Sequence, residues 1–475
     1  LNSPIKFLIS KKPTVAKIND SKEYILKLAL SKNLQQIPII NNNGQVLGIN
    51  RIEELIKIKE KTNKVVLMVG GDGMRLRPLT KNTPKPMLKV GNKPILHTIV
   101  EKFAGCGYVN IVMCVNYKSK VIQDYFGDGH AWGWEIEYSV GPVEWDTGRR
   151  LWESREILDE NFLLLYSDNF SQFNLKKLVE LHRKEQVTLT LLLSEKNNGN
   201  IRFSLADRIE DYDKNRQRQG LDFVEIGYML VERDLIFPVY DDIPNKPDIN
   251  FSEIIELLVA QKQICGLVIN EPYHSISDID RLELMRQYLK PKKVILIDRD
   301  GVINVKAPKG EYIESWGAFK WICDTVHSMK QLSRDGFSFI VITNQAGVAR
   351  GMVSKEELTR MHVLMAEKLK TEGVMVLGIY VCPHHWDDDC ECRKPKPGLF
   401  NKIAEDHLLR MDRTLYIGDD IRDCQAAYNA GCGSVFIANN LKSESVENKP
   451  GWSLGASKLS DAIPDIKLYM EGINK

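Results

Sequence analysis

Val294-Ile-Leu-Ile297 runs directly into Asp298-Arg-Asp-Gly-Val-Ile-Asn304. Four apolar residues without polar alternation predict a short strand buried on both faces, as in a parallel sheet. Two carboxylates at i and i+2 just past its end can both turn into one cleft, and Gly301 lets the chain leave sharply. Acids this close repel, so the pair calls for a cation, normally magnesium. The same arrangement recurs downstream. Ile340-Val-Ile-Thr-Asn-Gln345 is a strand ending in Thr343, Lys394 lies in Cys392-Arg-Lys-Pro-Lys-Pro-Gly398, and Tyr416-Ile-Gly-Asp-Asp420 is a strand ending in an acidic pair, with Asp423 beyond.

Around these strand ends the pattern is that of an α/β domain. Strands are expected at 337–342, 374–381, 414–417 and 434–437. Ser354 with Glu357 three residues later predicts a capping box, opening a helix whose apolar stripe is Leu358, Met361, Met365 and Leu369. Cys382-Pro-His-His-Trp-Asp-Asp-Asp-Cys390-Glu-Cys392 places three thiols and two imidazoles in eleven residues just before Lys394. Nine cysteines in 475 residues are too few for a disulfide scaffold. The set suits a closed, structural zinc site, with free thiols as the alternative.

A second α/β domain is expected ahead of it. Lys64-Val-Val-Leu-Met-Val69 is a buried strand leading into Gly70-Gly-Asp-Gly-Met-Arg-Leu-Arg-Pro-Leu-Thr-Lys-Asn-Thr-Pro-Lys-Pro-Met87. Gly70, Gly71 and Gly73 let backbone N–H groups approach and cradle phosphate oxygens. Arg75 offers a planar fork, Lys85 a mobile charge, and the flanking prolines stiffen the path that delivers it. A helix with Ile95, Leu96, Ile99, Val100 and Phe103 comes next, then strands at 111–115, 162–166 and 187–193 in a largely parallel sheet. Lys290-Pro-Lys-Lys293 is the connector between the two domains.

The first 60 residues differ in pattern. Residues 21–30 have helical spacing, and Gln36 to Ile49 reads as a hairpin around an Asn/Gly turn. This stretch resembles a single CBS motif, whose family pairs two such units to bind adenine nucleotides; with one unit visible, a docking or dimerising appendage is the simpler expectation. Overall, 43% hydrophobic and 27% charged residues describe a globular chain, and 65 basic against 63 acidic residues exclude a strongly basic nucleic-acid binder. No apolar run reaches membrane-spanning length, and no export signal opens the sequence, so a reducing cytoplasm is expected.

The third segment resembles the haloacid-dehalogenase phosphatase superfamily in its order of acidic strand end, Thr strand end, Lys and second acidic strand end. The resemblance implies that Asp298 is the nucleophile and Asp300 the acid and base. It implies magnesium on Asp298, Asp419 and the Asp300 backbone, and phosphoryl oxygens on Thr343 and Lys394. It leaves Asp420 and Asp423 to hold loop geometry. The cysteine cluster and Thr343-Asn-Gln-Ala-Gly-Val-Ala-Arg-Gly351 resemble the D-glycero-D-manno-heptose 1,7-bisphosphate 7-phosphatases and their relative, histidinol phosphatase. That implies zinc on Cys382, His384, Cys390 and Cys392, with His385 in reserve, and substrate contacts from Asn344, Arg350 and Arg393.

The second segment resembles the sugar-phosphate nucleotidyltransferases, whose signature is close to GGxGxRLxPLTxxxPKPM. This implies attack of a sugar 1-phosphate on the α-phosphorus of an NTP. Gly70, Gly71, Gly73, Arg75 and Lys85 would bind the nucleotide and leaving group, and Asp168 would bind magnesium. Thr147, Gly148, Glu225 and Lys214 would contact the sugar phosphate, although single charges such as Glu225 and Lys214 are also ordinary on such strands. The sequence departs from the family at Met74 and at Ser275, where a second metal-binding Asp is usual; Asp278 stands three residues later.

The expected fold is therefore α/β. Two doubly wound three-layer domains (a Rossmann-like nucleotidyltransferase over 64–289, a Rossmann-like haloacid dehalogenase over 293–475) succeed a small CBS-like α+β piece over 1–60. A 7-phosphatase makes the sugar 1-phosphate that a nucleotidyltransferase consumes. The favoured expectation is a bifunctional enzyme making a nucleotide-activated heptose, GDP-D-glycero-α-D-manno-heptose, from sugar phosphate and NTP with Mg2+ and Zn2+. The alternatives are a different phosphorylated substrate, such as histidinol phosphate, and a non-catalytic sugar-nucleotide sensor in the transferase half. A homo-oligomer would be built through the CBS-like or transferase part.

Overall fold

A computed structural model of the chain describes residues 14–17, 25, 34, 36–40, 46–51, 61, 63–204, 207–241, 243, 248–308, 310–438 and 454–472. The chain divides into two compact units, Leu1–Glu60 with Gly105–Gly107, and Lys61–Ala104 with Tyr108–Lys475. In the first unit Gln36–Ile40 lies antiparallel to Val46–Arg51 and parallel to Ala16–Lys17. These are the two arms of the expected hairpin. Its turn, and the expected helix over 21–30 apart from the helical Ile25, fall outside the described residues.

The second unit opens on Val65–Val69, buried along its whole length. Val65, Leu67 and Val69 enter one core and Val66 and Met68 the other, which is why the strand reads as an unbroken apolar run. Parallel neighbours flank it, Asn110–Val115 on one side and Asn161–Tyr166 on the other, with Glu135–Val140 outermost. The helix Ile95–Ala104 buries the predicted stripe against this sheet, roughly 1.5–3 kcal/mol for each large apolar side chain removed from water.

Beyond Asn161–Tyr166 the sheet turns antiparallel. Phe223–Glu232 pairs with it, then carries Leu189–Glu195 and Ile201–Phe203. Nine strands share this sheet, parallel on the nucleotide-loop side and mixed on the other. A two-stranded ribbon sets Asn169–Ser171 against Tyr273–Ser275, which brings Ser275 opposite Asn169 and beside Asp168.

The last domain has six parallel strands in the order Val376–Cys382, Ser338–Asn344, Val294–Ile297, Leu415–Gly418, Gly433–Ile437, Leu454–Ala456. Ile295 and Ile297 face one core, Val294 and Leu296 the other. The helix Lys355–Thr371 starts where predicted, but only half of the capping box forms. The Ser354 hydroxyl accepts from the Glu357 N–H at 3.0 Å, whereas the Glu357 carboxylate is drawn away to the Trp316 N–H and Arg360.

This domain docks on the transferase through the chain that enters its strands. Arg410 lies over the Phe170 ring, Leu408 packs on the transferase core, and Lys292 of the connector donates to the carbonyls of His407 and Leu408. Among the described residues no helix is long and apolar enough to cross a membrane.

Candidate functional site

In the parallel sheet of the last domain, Asp298 comes directly after Val294–Ile297 and Asp419 after Leu415–Gly418, so both acids emerge at the same edge. Asp423 reaches the same point from the first turn of the helix Ile421–Asn429, where its carboxylate also closes a capping box with Asp420. Carboxylate oxygens of Asp298, Asp419 and Asp423 lie within 4.8 Å of one another. Lys394 is buried among them, its Nζ 3.0 Å from Asp298 Oδ2 and 2.8 Å from Asp423 Oδ1, and it donates to the Tyr416 hydroxyl at 2.7 Å. Burial pushes Asp298 well above the usual carboxylate range, with Lys394 opposing and the neighbouring acids adding to it. Burial raises Asp419 as well, and its Oδ1 is buried without a partner. Asp419 presses so close to the backbone that a Cβ on Gly301 would stand 2.1 Å from its Oδ2. Gly301 also has φ +93°, so glycine is needed there twice over.

Asp300 is held apart from this trio. Arg299 pairs with its carboxylate at 2.9 Å, and it accepts from Asn304 at 2.8 Å and from Gln345 at 2.7 Å. Burial alone would raise its pKa, but Arg299 and these donors outweigh burial and hold it below the usual range. Gln345 also donates to the Thr343 hydroxyl at 2.7 Å. Asn344 and the Lys394 main chain bond each other reciprocally, at 3.3 and 3.2 Å, which fixes the loop that delivers the lysine. A cavity of about 230 Å³ opens over this edge and is lined by Asp298, Asp300, Thr343, Asn344, Arg393 and Lys394, with Lys306 and Arg422 on its rim. Arg350 lies outside that lining, between the rings of Tyr312 and Trp386.

Just upstream, Cys382, His384, Cys390 and Cys392 converge. Cys390 Sγ is 3.6 Å from Cys382 Sγ and 3.5 Å from Cys392 Sγ, and His384 Nδ1 is 3.1 Å from Cys392 Sγ. A tetrahedron with ~2.3 Å zinc–sulfur bonds has sulfur–sulfur edges of about 3.8 Å, so the donor set fits that ion. His385 is occupied elsewhere: its Nδ1 accepts from the Asp387 N–H and its ring lies against Trp386. The short spacing between the two halves is taken up by a single turn, Trp386–Asp388.

In the transferase domain Gly71 and Gly73 both have positive φ, and the Thr80 hydroxyl donates to the Gly73 carbonyl at 2.8 Å, closing the loop on itself. Lys85 Nζ lies 2.5 Å from Asp168 Oδ2 at the end of Asn161–Tyr166, so loop and strand end meet in one ion pair. Arg75 is exposed on the loop. Thr147 and Gly148 begin the helix Thr147–Glu153; the Thr147 hydroxyl accepts from the Phe251 N–H, and Gly148 is pressed against Ile249. Glu225 accepts from Asn200 at 2.6 Å and is raised by burial, whereas Lys214 is exposed on the turn after Ile209–Tyr212. Asp278 caps the helix Ile279–Leu289, and Ser275 accepts from Arg281 at 3.1 Å.

Asp423, expected only to hold loop geometry, also joins the acid trio. Three further groups escaped the sequence reading. Gln345 links Asp300 to Thr343, and Lys306 bonds Asp419. Arg150 lies buried beside Gly70 with Nε and Nη1 unpartnered. A signal existed for Asp423, four residues past Asp419 and so one helical turn on, and for Gln345, two residues past Thr343. Lys306 and Arg150 carry no such spacing.

Comparisons with known proteins agree with this division. The Nucleotidyl transferase family model matches residues 64–262, and the Polynucleotide kinase 3 phosphatase model matches residues 293–433. The D-glycero-beta-D-manno-heptose-1,7-bisphosphate 7-phosphatase of Yersinia pestis is 32% identical over 180 residues, covering 36% of this chain and 94% of that protein. The protein of the same name from Pseudomonas aeruginosa is 35% identical over 146 residues, covering 31% of this chain and 81% of that protein. Among solved structures, a D,D-heptose 1.7-bisphosphate phosphatase from B. bronchiseptica complexed with magnesium and phosphate covers 37% of this chain and 98% of that chain at 29% identity and a TM-score of 0.35. HddC from Yersinia pseudotuberculosis covers 48% of this chain and 100% of that chain at 18% identity and a TM-score of 0.41. The chain is thus an enzyme with a nucleotidyltransferase domain and a phosphatase domain in one polypeptide, and through its phosphatase domain it belongs to the heptose-1,7-bisphosphate 7-phosphatase family.

Proposed function

We propose that this bifunctional enzyme serves nucleotide-activated heptose synthesis. The phosphatase domain removes the 7-phosphate of D-glycero-D-manno-heptose 1,7-bisphosphate, and the transferase domain passes GMP from GTP to the heptose 1-phosphate that remains. The observation that carries the reading is the Lys394-clamped acid trio at the mouth of a polar cavity, with Asp419 Oδ1 bare, in one chain with a nucleotidyl transferase domain.

Asp298 attacks phosphorus, and the bond between phosphorus and the C7 oxygen breaks as that oxygen takes a proton from protonated Asp300. Water then attacks the aspartyl phosphate, losing its proton to Asp300 and freeing Asp298 and inorganic phosphate. Arg299, Asn304 and Gln345 aim Asp300 at the leaving oxygen and stabilise the carboxylate left once it has given up its proton, the form that activates water in the second step. Lys394 and Thr343 bind the remaining phosphoryl oxygens. Asp298, Asp419 and Asp423 would hold a magnesium ion, which neutralises charge on those oxygens. Cys382, His384, Cys390 and Cys392 would hold zinc, which orders the loop carrying Arg393 and Lys394. In the transferase, Lys85 and Arg75 hold the triphosphate, Asp168 would hold a magnesium ion, and Arg150, its Nε and Nη1 unpartnered, contributes a buried cation behind Gly70. Thr147, Gly148, Glu225 and Lys214 are the set offered to the sugar phosphate. The first 60 residues serve as a docking piece.

The test supplies the full-length protein with each anomer of heptose 1,7-bisphosphate, magnesium and each NTP in turn. Phosphate release and then pyrophosphate and GDP-heptose are expected. Phosphate release with no nucleotide-heptose from any NTP would remove the coupled reading, and a product with another base would reassign the nucleotide.

A further inference from the structure

Lys306 sits where a cation is wanted. Its ammonium is 2.9 Å from Asp419 Oδ2, while the other oxygen of the same carboxylate is buried and unpartnered. Its side chain is half exposed, against 3% for Lys394, so it can leave at little cost in packing. The backbone beneath it does not move with it: the Val305 N–H donates to the Lys320 carbonyl, and Asn304 is fastened to Asp300.

Charge decides what Lys306 does. When all three are ionised, the carboxylates face two ammonium groups, Lys394 and Lys306, which leaves one negative charge uncompensated. A divalent cation in place of Lys306 balances the cluster completely. Lys306 is then a positive charge without a carboxylate of its own, on the rim of a cavity that it shares with Arg393 and with Arg422, itself pinned by two contacts to Asp420. A substrate with a second anionic group would meet that rim once its scissile phosphate is on Asp298.

Resting on the proposed reading of the phosphatase as acting on a bisphosphate, we propose that Lys306 is a displaceable counter-ion. It holds Asp419 until a divalent cation binds, and then takes the substrate's second anionic group. Lys306 is thus both a brake on cation binding and a determinant of specificity for doubly phosphorylated substrates. No bond is made or broken in the exchange; one ion pair replaces another.

The test uses Mn2+ as the probe, titrated into the full-length protein without substrate and monitored by electron paramagnetic resonance. Lys306→Met should bind Mn2+ about tenfold more tightly, the size expected when one partly solvated competing charge is removed. Lys306→Arg should stay close to the parent. In steady-state assays at saturating magnesium, Lys306→Met should raise KM for heptose 1,7-bisphosphate about tenfold with kcat within about twofold. Its KM for p-nitrophenyl phosphate, which has only the scissile group, should move less than about twofold. Mn2+ affinity that is unchanged or weaker, or KM values that rise together on both substrates, would overturn the proposal. Should the methionine variant not fold, Lys306→Gln replaces it in both arms. An unmodified enzyme that leaves heptose bisphosphate intact refutes the functional reading instead, while the Mn2+ arm still judges the exchange at Asp419.

Discussion

The two catalytic clefts are built on opposite plans. In the phosphatase, the charged groups that meet are nearly dry: 3% side-chain exposure at Lys394, 10% at Asp298, 3% at Asp423. In the transferase, the ion pair that joins loop to strand end is far wetter, 18% at Lys85 and 32% at Asp168, and Arg75 stands in solvent. A buried cluster is fixed before substrate arrives, because any unpaired member costs desolvation energy. An exposed loop on glycines leaves its final geometry to the nucleotide. The chain thus pairs a preformed phosphoryl pocket with an adaptable one.

The largest effect separates them outright. Asp298→Asn should cut phosphate release by about three orders of magnitude or more while leaving pyrophosphate formation from added heptose 1-phosphate intact; Asp168→Ala should do the reverse. Parallel assays of phosphate and pyrophosphate on each variant check this, and loss of both activities in either one would erase the distinction.

Glycine substitution sharpens it. Gly301→Ala drives a methyl into Asp419 at positive φ and should lower phosphatase kcat about a hundredfold. Gly71→Ala meets nothing within 4 Å, so backbone strain alone should cost the transferase on the order of tenfold. Equal losses would show that the nucleotide loop is as rigidly specified as the acid cluster.

The cysteine loop comes next. Cys390→Ser should release zinc, measurable by metal analysis, lower the phosphatase domain's melting temperature by about 5–10 °C, and loosen Lys394. The transferase should keep its activity.

The smallest effect is in acid. Burial depresses His274 in the transferase and His362 in the phosphatase, each to about 4. Each fold therefore favours a neutral imidazole, and the stability this gives is full above the unfolded value near 6.5 and is lost as pH falls toward 4. Denaturant midpoints measured from pH 7 to pH 4 should fall, and His362→Gln should flatten the phosphatase part of that decline.

Much of this was legible from residue order. Strand ends carrying Asp298, Thr343 and Asp419 are recognisable because a doubly covered parallel strand is an unbroken apolar run, and the polar residues just past it must turn at one edge of the sheet. His384 was separable from His385 only by resemblance; the structure supplies the cause, since His385 is consumed by the turn at Trp386. The antiparallel half of the transferase sheet was not legible, because Leu189–Glu195 and Phe223–Glu232 are buried over most of their length, like the parallel strands beside them, and show no regular polar alternation. Glu357 could not be seen leaving its capping box, because its competitor, the Trp316 N–H, lies 41 residues away. Lys306 and Arg150 went unread for the same reason: their partners are set by tertiary approach rather than by period.

The docking between the domains has one further consequence. Leu408 and Arg410 touch the transferase where the chain enters the sheet, whereas Asp298 and Asp419 stand where it leaves, a strand's length away. Under the proposed reading, the dephosphorylated sugar leaves at the end of these strands opposite the docking contacts. Under that reading, unlabelled heptose 1-phosphate added from outside should dilute label from the bisphosphate in full, measured as the specific activity of the nucleotide-heptose formed.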